Sequence, residues 1–237
     1  MTTTAVILAA GAGRRLGDVG RRHSKPMLPV LGRPLIDWVI ERLCAAGVGR
    51  LVVVGHSSDG DLAESLAAHH PQATLVRQHE RRGIADALRL TLPHLGRDES
   101  YLACACDSLF AVDDIAGAVA SGRANPGAAV VGVLDMGPAA TSTRSAVRLD
   151  GDRVVEIVEK PPPGSIATGL VAMPLYWLTP QVSRHLAQET RAGEHYVTTA
   201  LASFIGGGGT VLGQRVRERL EITTAADIAA VEAALVG

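Results

Sequence analysis

Two glycines follow a short apolar run near the start of the chain, and positively charged residues come next. The chain begins MTTTAVILAAGAGRRLG, with Gly11 and Gly13 in the turn, and Lys25 follows in SKPML. Glycine lets the main chain approach a ligand closely, and the amides of such a turn donate to phosphate oxygens. Cations beside the turn offset the roughly four negative charges of a triphosphate. The stretch therefore predicts a site for a polyphosphate such as a triphosphate, with Arg15 and Lys25 as its fixed cations.

Two common phosphate-binding motifs do not fit this turn. The dinucleotide fingerprint needs a third glycine at the position of Leu16, and the P-loop needs the glycine of its Gly-Lys pair there. The sequence also lacks the Gly-x-Ser-x-Gly and His-Glu-x-x-His patterns of hydrolases and metalloproteases. What remains is a glycine turn whose charge comes from arginine and lysine.

Strand-like and helix-like segments alternate through the first half of the chain. Continuous apolar runs are typical of strands covered on both faces, and a β-α-β-α-β order implies a parallel sheet. The predicted strands are Ala5–Ala10, Leu51–Val54, Leu75–Arg77 and Tyr101–Cys106, and the predicted helices are Leu35–Ala46, Asp59–His69 and Ile84–Leu92. We therefore expect an α/β fold, a Rossmann-like three-layer α/β/α arrangement with a mostly parallel central sheet in a single domain.

The second half has a different pattern. Its predicted strands are Ala128–Leu134, Ala146–Leu149 and Val154–Val158, further elements cover Leu170–Leu178, Tyr196–Phe204 and Val211–Leu212, and a closing helix covers Asp227–Leu235. The DGD between the second and third of these strands is typical of a hairpin turn. No linker rich in proline, serine or charge separates the halves.

The opening motif continues into a pattern that resembles the signature of the sugar-1-phosphate nucleotidyltransferases. LAAGAGRRLG and SKPMLPVLGRPLIDWVIERL resemble that family's strand, Gly-x-Gly-Thr/Ser-Arg turn, Pro-Lys pair and Gly-x-Pro turn. Two positions depart from the pattern: Arg14 stands where threonine or serine is usual, and Ser24 replaces the proline before Lys25. Further segments follow in the family's order as far as about residue 230.

The resemblance implies a nucleotide site at the end of the first strand. Its residues would be Leu8, Ala10, Gly11, Ala12, Gly13, Arg14, Gln78, Gly83 and Ile84. In RQHERRGIADAL, Gln78 corresponds to the glutamine that binds the base edge, and the Gly83 backbone would lie against the base. Ile84 stands where threonine is common. The implied catalytic residues are Arg15, Lys25 and Asp107.

Two carboxylates are implied as Mg²⁺ ligands. LACACDSLF resembles the family strand that ends in Gly-Asp, with Cys106 at the glycine and Asp107 at the aspartate. Asp107 also ends a predicted buried strand, which is where open parallel sheets place their ligands; the alternative is a turn or helix cap. LEITTAADI resembles the closing element, with Glu221 in place of the second aspartate, an oxygen ligand one methylene longer.

Three later segments are implied to bind the acceptor. VVEIVEKPPPG, ATGLVAMPLYWL and GEHYVTTAL resemble the family's acceptor-binding elements, and the residues carried over are Glu159, Lys160, Thr168, Gly169 and Glu194. Lys160 would pair with the acceptor phosphate, and Glu159 would bind acceptor hydroxyls.

The implied reaction is Mg²⁺-dependent transfer of a nucleoside monophosphate to a sugar 1-phosphate, which gives an NDP-sugar and pyrophosphate. One nucleotidyltransferase domain would cover residues 1–237, with a nucleotide-binding half over about 1–110 and an acceptor-binding half over about 128–237. Two alternatives remain open. The protein could be a cytidylyltransferase for a non-sugar phosphate such as phosphocholine or a cyclitol phosphate, or a nucleotide-sensing subunit without turnover.

Composition narrows the partners and the location. The chain has 237 residues and a formal net charge of -1, which argues against a general polyanion binder. No apolar stretch is long enough to cross a membrane, and the apolar start lacks the basic flank of a signal peptide. Three cysteines form no disulfide framework, which favours the cytoplasm, and we expect Cys104 and Cys106 to be small buried residues. The predicted partners are an NTP and a phosphorylated small-molecule acceptor, with no nucleic acid and no membrane; the resemblance suggests a homodimer.

Overall fold

Strands and helices alternate along most of the chain in a computed structural model that describes residues 2–186, 196–217 and 219–236. The helices are α1 (Gly17–Arg22), α2 (Leu35–Ala45), α3 (Gly60–His69), α4 (Ile84–Thr91), α5 (Val112–Ala124), α6 (Pro180–Ser183), α7 (Val197–Gly206) and α8 (Ala225–Val236). The strands are β1 (Thr3–Leu8), β2 (Pro29–Val30), β3 (Arg33–Pro34), β4 (Val48–His56), β5 (Thr74–Gln78), β6 (Tyr101–Ala105), β7 (Ser108–Phe110), β8 (Ala129–Asp135), β9 (Ser145–Asp150), β10 (Arg153–Glu159), β11 (Leu170–Leu178), β12 (Val211–Arg215) and β13 (Arg219–Glu221).

Nine strands form the main sheet, in the order β5-β4-β1-β6-β11-β8-β12-β10-β9. β5, β4, β1 and β6 run parallel, and Leu8 lies opposite both Val54 and Ala105. β11 then runs antiparallel to both β6 and β8. The sheet is therefore mixed, and the prediction of a mostly parallel central sheet is wrong for the second half of the chain. For β9 and β10 the reason is local: the DGD turn reverses the chain between them, so these strands pair antiparallel without a crossover helix.

The second half of the sheet closes on itself. Besides its pairing with β10, β9 meets β11, where Ala146 lies opposite Val171. The strands β11, β8, β12, β10 and β9 thus enclose a small closed core. β11 is hydrogen-bonded to β6, β8 and β9, so it joins this closed unit to the parallel strands.

Helices cover both faces of the parallel strands, as the continuous apolar runs predict. Adjacent residues of β1 point to opposite sides: Ile7 packs in a cluster with Leu43 of α2, and Val6 packs in a second cluster with Leu88 of α4 and Leu201 of α7. All five side chains are buried. This packing confirms the α/β class and fixes the end of β1, where the glycine turn begins.

Several features of the chain were not predicted. Helix α5 covers residues for which the sequence interpretation gave no element, and the segment Tyr196–Phe204 is largely helix α7. In addition, β7 and β13 form a separate two-stranded antiparallel sheet that places Glu221 opposite Ser108. Because β7 begins directly after Asp107, this small sheet brings Arg219 and Glu221 close to that carboxylate.

The cysteines behave as predicted. Cys104 and Cys106 are buried, Cys44 is exposed, and all three are free thiols. Within the described ranges, none of the helices combines the length and apolar character needed to cross a bilayer.

Candidate active site

A cavity of about 330 Å³ opens at the carboxyl ends of β1 and β6, between the glycine turn and the start of α4. It is lined by Leu8, Ala9, Ala10, Gly11, Ala12, Lys25, Pro26, Gln78, Arg81, Gly83, Ile84, Ala87, Ala105, Cys106 and Asp107. Most of the residues predicted to bind the nucleotide are in this set, together with the predicted cation Lys25 and the predicted carboxylate Asp107. The structure therefore brings most of the first-half site residues into one cavity.

The glycine turn has a shape that requires glycine. Gly13 has φ 59, in the left-handed region, and a Cβ there would lie 2.9 Å from Cδ1 of Leu16. Leu16 is almost fully buried, so it cannot move aside without loss of packing. Gly13 therefore shapes the turn from outside the cavity lining.

The structure does not bring Arg15 to the cavity. Its side chain is exposed, on the short turn that follows Gly13, and it is absent from the cavity lining. The side chain of Arg14 is not among those that the structure describes, so its role also stays a prediction. Of the two predicted cations, only Lys25 faces Asp107, and the role of Arg15 stays a prediction.

Lys25 and Asp107 form an ion pair at the floor of the cavity. Nζ of Lys25 donates to Oδ2 of Asp107 at 2.6 Å, and the hydroxyl of Ser108 donates to Oδ1 at 2.9 Å. Burial acts to raise the pKa of Asp107, but the charges of Lys25 and Arg219 and these hydrogen bonds outweigh it, so the pKa lies below its usual 3.8. Asp107 is therefore a carboxylate at neutral pH.

Two arginines that sequence reasoning missed complete the charged cluster. Arg219 donates to the hydroxyl of Ser108 at 2.8 Å and pairs with Oε1 of Glu221 at 2.9 Å, and its guanidinium lies 3.9 Å from Oδ1 of Asp107. Arg144 pairs with Oε2 of Glu221 at 2.9 Å. The side chain of Arg219 is only 8% exposed; burial lowers its pKa, and the charges of Glu221 and Asp107 oppose that shift. No motif marks either arginine.

The two predicted Mg²⁺ ligands are neighbours, but cations or hydroxyls already hold their oxygens. Lys25 and Ser108 engage the oxygens of Asp107, and the two guanidiniums engage those of Glu221. In the described parts of the chain, no group of three or more His, Cys, Asp or Glu side chains could hold a metal ion. Mg²⁺ needs carboxylate oxygens that are free to bind it. As arranged, both oxygens of Glu221 are paired with guanidiniums, which does not fit the ligand role, and a metal at Oδ2 of Asp107 would compete with Lys25.

Gln78, predicted to bind the base, is buried and held by a neighbour. Its Nε2 donates to Oδ2 of Asp86 at 3.0 Å, and Oδ1 of Asp86 accepts from Arg89 at 2.9 Å. Both Gln78 and Asp86 are buried. With Nε2 directed at Asp86, Oε1 is the more accessible atom for a ligand in the cavity.

Arg81 is a further cavity residue that the sequence interpretation did not single out. Its Nε donates to the carbonyl of Ala10 at 2.8 Å, and it lines the cavity with Gln78 and Gly83. The signal was available, because Arg81 lies within the segment RQHERRGIADAL. This hydrogen bond ties the base-binding segment to the glycine turn.

Two of the predicted acceptor residues belong to one polar cluster. The carboxylate of Glu159 accepts from the hydroxyl of Thr198 at 2.7 Å and from the hydroxyl of Ser145. Nζ of Lys160 lies 3.2 Å from the hydroxyl of Tyr196 and 3.8 Å from Glu159. Lys160 has φ 42, a left-handed conformation, and its amide donates to the carbonyl of Arg144 at 3.2 Å.

The other predicted acceptor residues are placed differently. The hydroxyl of Thr168 donates to the carbonyl of Val147 at 2.8 Å and accepts from the amide of Leu170 at 3.0 Å, so it stabilises the main chain. Gly169 packs against the carboxylate of Asp135, with no room for a side chain. Glu194 lies outside the described residues. The acceptor roles of all three stay predictions.

Known proteins resemble the chain in sequence. Residues 4–208 match the family model described as Nucleotidyl transferase. A UTP–glucose-1-phosphate uridylyltransferase of Haloferax volcanii, AglF, is 29% identical over 221 residues, which cover 87% of this chain and 85% of that protein.

Solved structures resemble the chain in fold. The UTP-bound UGPase from Acinetobacter baumannii superposes with a TM-score of 0.81 over 99% of this chain and 93% of that one, at 20% identity. A putative glucose-1-phosphate thymidylyltransferase from Bacillus anthracis gives a TM-score of 0.85 over 98% and 95%, at 21% identity. At these identities the likeness shows the fold.

The glycine turn, the cavity and the sequence match lead to one assignment. The match covers most of the chain, and it includes the segments around Gly11, Lys25, Asp107 and Lys160 on which the resemblance was based. The prediction of a nucleotidyltransferase of the sugar-1-phosphate type is confirmed. The chain belongs to the nucleotidyl transferase family.

Proposed function

We propose that the protein joins UTP to a sugar 1-phosphate, with a UDP-sugar and pyrophosphate as products. The observation that carries the proposal is that one cavity is lined both by Gln78 and Gly83 and by the Lys25–Asp107 pair. A nucleobase needs hydrogen-bonding groups such as those of Gln78 and Gly83, and a polyphosphate needs a fixed cation such as Lys25. The uridylyl substrate is supported by the Haloferax relative and by the UTP-bound Acinetobacter structure, whose names state UTP.

In this proposal the first half of the chain binds the nucleotide and the second half binds the acceptor. The cavity lining runs from Leu8 to Asp107, within the half proposed for the nucleotide, over about residues 1–110. Glu159 and Lys160 belong to the half proposed for the acceptor, over about residues 128–237. Arg219 and Glu221 cross from the second half to Asp107, so the two binding regions meet at the charged cluster.

The reaction depends on alignment of the two substrates and neutralisation of their phosphate charge, and it does not need a general base. An oxygen of the acceptor phosphate attacks the α-phosphorus, and the bond from that phosphorus to the pyrophosphate oxygen breaks. The attacking phosphate is already an anion, so no proton must be removed first. In the proposal Lys25 donates to the oxygens on the α-phosphorus, Asp107 holds the lysine in place, and Lys160 orients the acceptor phosphate. Mg²⁺ bound to the triphosphate would neutralise part of its charge.

In the proposal the nucleobase lies beside Gln78, Gly83, Ile84 and Ala87 of the cavity lining. Gln78 presents Oε1 to an N–H of the base, and no hydrogen bond within the described residues uses the amide of Gly83, which can donate to a base carbonyl. Ile84 and Ala87 supply apolar surface for the ring. A uracil N3–H beside its carbonyl matches this donor and acceptor pair.

A pyrophosphate-release assay tests the proposal. Each of the four common ribonucleoside triphosphates and dTTP is paired with hexose 1-phosphates, phosphocholine and a cyclitol phosphate, with Mg²⁺ present. We expect pyrophosphate release with UTP and a hexose 1-phosphate. Turnover only with CTP and a non-sugar phosphate would replace the proposed reaction with that of a cytidylyltransferase. Saturable UTP binding without pyrophosphate from any pair would instead identify a nucleotide-sensing subunit.

A further inference from the structure

Glu221 is enclosed by guanidinium groups. Oε1 accepts from Arg219 at 2.9 Å and Oε2 accepts from Arg144 at 2.9 Å, so each oxygen has its own arginine. The Glu221 side chain is 25% exposed, and its two partners are 8% and 32% exposed. Charged hydrogen bonds of this kind are short and strong when they are partly shielded from water. We call Arg144, Arg219 and Glu221 the arginine clamp.

The clamp adds positive charge to the catalytic cluster. Arg219 also donates to Ser108 and lies 3.9 Å from Asp107, so its guanidinium stands between the two carboxylates. With Lys25 on the other side of Asp107, three cations surround two carboxylates. A divalent cation that binds either of these carboxylates is therefore opposed by the positive charge of the groups already paired with it.

The clamp also reaches the acceptor half. The carbonyl of Arg144 accepts from the amide of Lys160 at 3.2 Å, while the side chain of Arg144 holds Glu221. The left-handed conformation of Lys160 is thus held by the residue that closes the clamp. Arg144 therefore contacts the proposed acceptor lysine through its main chain and Glu221 through its side chain.

We propose that Glu221 is the centre of this arginine clamp rather than a resident metal ligand, and that Arg219 supplies the fixed positive charge beside Asp107. A divalent cation then enters the site only together with the triphosphate, whose oxygens bring the negative charge that the cluster lacks. The proposal deepens the proposed function, because it concerns how the same site is charged.

Manganese binding to the protein without nucleotide tests the clamp. Mn²⁺ is titrated into the wild-type chain, and free Mn²⁺ is followed by its electron paramagnetic resonance signal. We expect wild-type binding no tighter than about 1 mM, the weak end for carboxylate cation sites. Arg144→Gln removes one guanidinium from Glu221 and should tighten Mn²⁺ binding about tenfold. Arg144→Gln combined with Glu221→Gln should lose that gain.

A matched control removes an arginine elsewhere. Arg148 is exposed on β9 and pairs with Glu156 at 3.0 Å, so Arg148→Gln breaks a comparable ion pair away from the clamp. Mn²⁺ affinity should not change in this variant. Arg219→Gln tests the clamp from the buried side, and circular dichroism confirms that each variant is folded. The Arg144 variants decide the result even if Arg219→Gln does not fold.

Two results would overturn the clamp. One is Mn²⁺ binding by the nucleotide-free wild-type chain at tens of micromolar or tighter that weakens in Glu221→Gln, as expected of a ligand. The other is an Arg144→Gln variant with the same Mn²⁺ affinity as the wild type. The titration contains no nucleotide and no acceptor, so its outcome is independent of which substrate pair releases pyrophosphate.

Discussion

Lys25 has the most direct contact with the predicted catalytic carboxylate. Its side chain is 14% exposed and donates to Asp107 at 2.6 Å, at the cavity floor. We expect Lys25→Ala to lower kcat/KM for UTP about 10²–10³-fold, the usual loss when one donor to a developing negative charge is removed. Steady-state pyrophosphate release measures this, with Arg148→Ala as a charge-matched surface control. Near wild-type kcat/KM in Lys25→Ala would remove the lysine from the reaction.

The ionisation of Asp107 gives a pH prediction. Its folded pKa lies below the usual 3.8 because Lys25, Arg219 and two hydrogen bonds outweigh burial. A lowered folded pKa stabilises the fold above the unfolded pKa, and that stabilisation disappears as the pH falls through the folded pKa. The stability difference between wild type and Asp107→Asn should therefore be constant from pH 7 to 5 and shrink below pH 3.8. Urea unfolding at several pH values checks this, and a difference that persists unchanged at the lowest pH contradicts it.

Residue types and spacing predict much of the nucleotide site. Gly11, Lys25, Gln78 and Asp107 belong to segments that keep the family's order, and all of them line the cavity. The partners of these residues could not be predicted in the same way. Asp86 is recognised as the partner of Gln78 only when the start of α4 folds back beside the end of β5.

At the scale of elements, continuous apolar runs predicted β1, β4, β5 and β6 and their helices closely. Helix α5 was missed although its buried residues are at helical spacing, because Ile115 and Val119 are the only large apolar side chains among them and Ala118 and Gly122 add little to the pattern. The sheet of β7 and β13 has strands of three residues that are more than 100 positions apart, too short for an alternation pattern. The contact between Arg219 and Asp107 depends on that pairing, so no local pattern could reveal it.

Gly122 gives a test of how α5 packs. A Cβ at Gly122 would collide with the indole of Trp177 on β11, which is 6% exposed. Alanine in a helix gains about 0.5–1 kcal/mol over glycine, whereas overpacking a core costs about 1–3 kcal/mol. We therefore expect Gly122→Ala to lower the free energy of unfolding, as measured by urea denaturation.

The control is Gly60, the first residue of α3, where an added Cβ meets nothing within 4 Å and φ is not positive. Gly60→Ala should be neutral or stabilise by up to about 1 kcal/mol. A stabilised Gly122→Ala variant would mean that α5 does not press against Trp177 in solution.

At the scale of the whole molecule, the sequence predicted the α/β class and the absence of a linker between the two halves of the chain. It did not predict that β9 returns to β11, because the register of distant strands follows from three-dimensional packing. The homodimer suggested by the family resemblance and the cytoplasmic location stay predictions.

Nucleotide binding should stabilise the entire fold, since the cavity takes its walls from β1, β5, β6 and α4. UTP at one hundred times its Kd adds about 2.7 kcal/mol, which corresponds to a rise in Tm of about 5–10 °C for a chain of this size. A thermal shift panel of triphosphates at equal concentration measures this and ranks the bases. Equal shifts for all triphosphates would contradict base recognition by Gln78.

Strand β11 joins the parallel strands of the main sheet to its closed second half, because it is hydrogen-bonded to β6, β8 and β9. A hinge through this strand would have to break main-chain hydrogen bonds on both of its sides, and each broken bond would leave a donor and an acceptor without a partner. Main-chain pairing through β11 therefore ties the strands that end at the cavity to the strand that ends at Glu159.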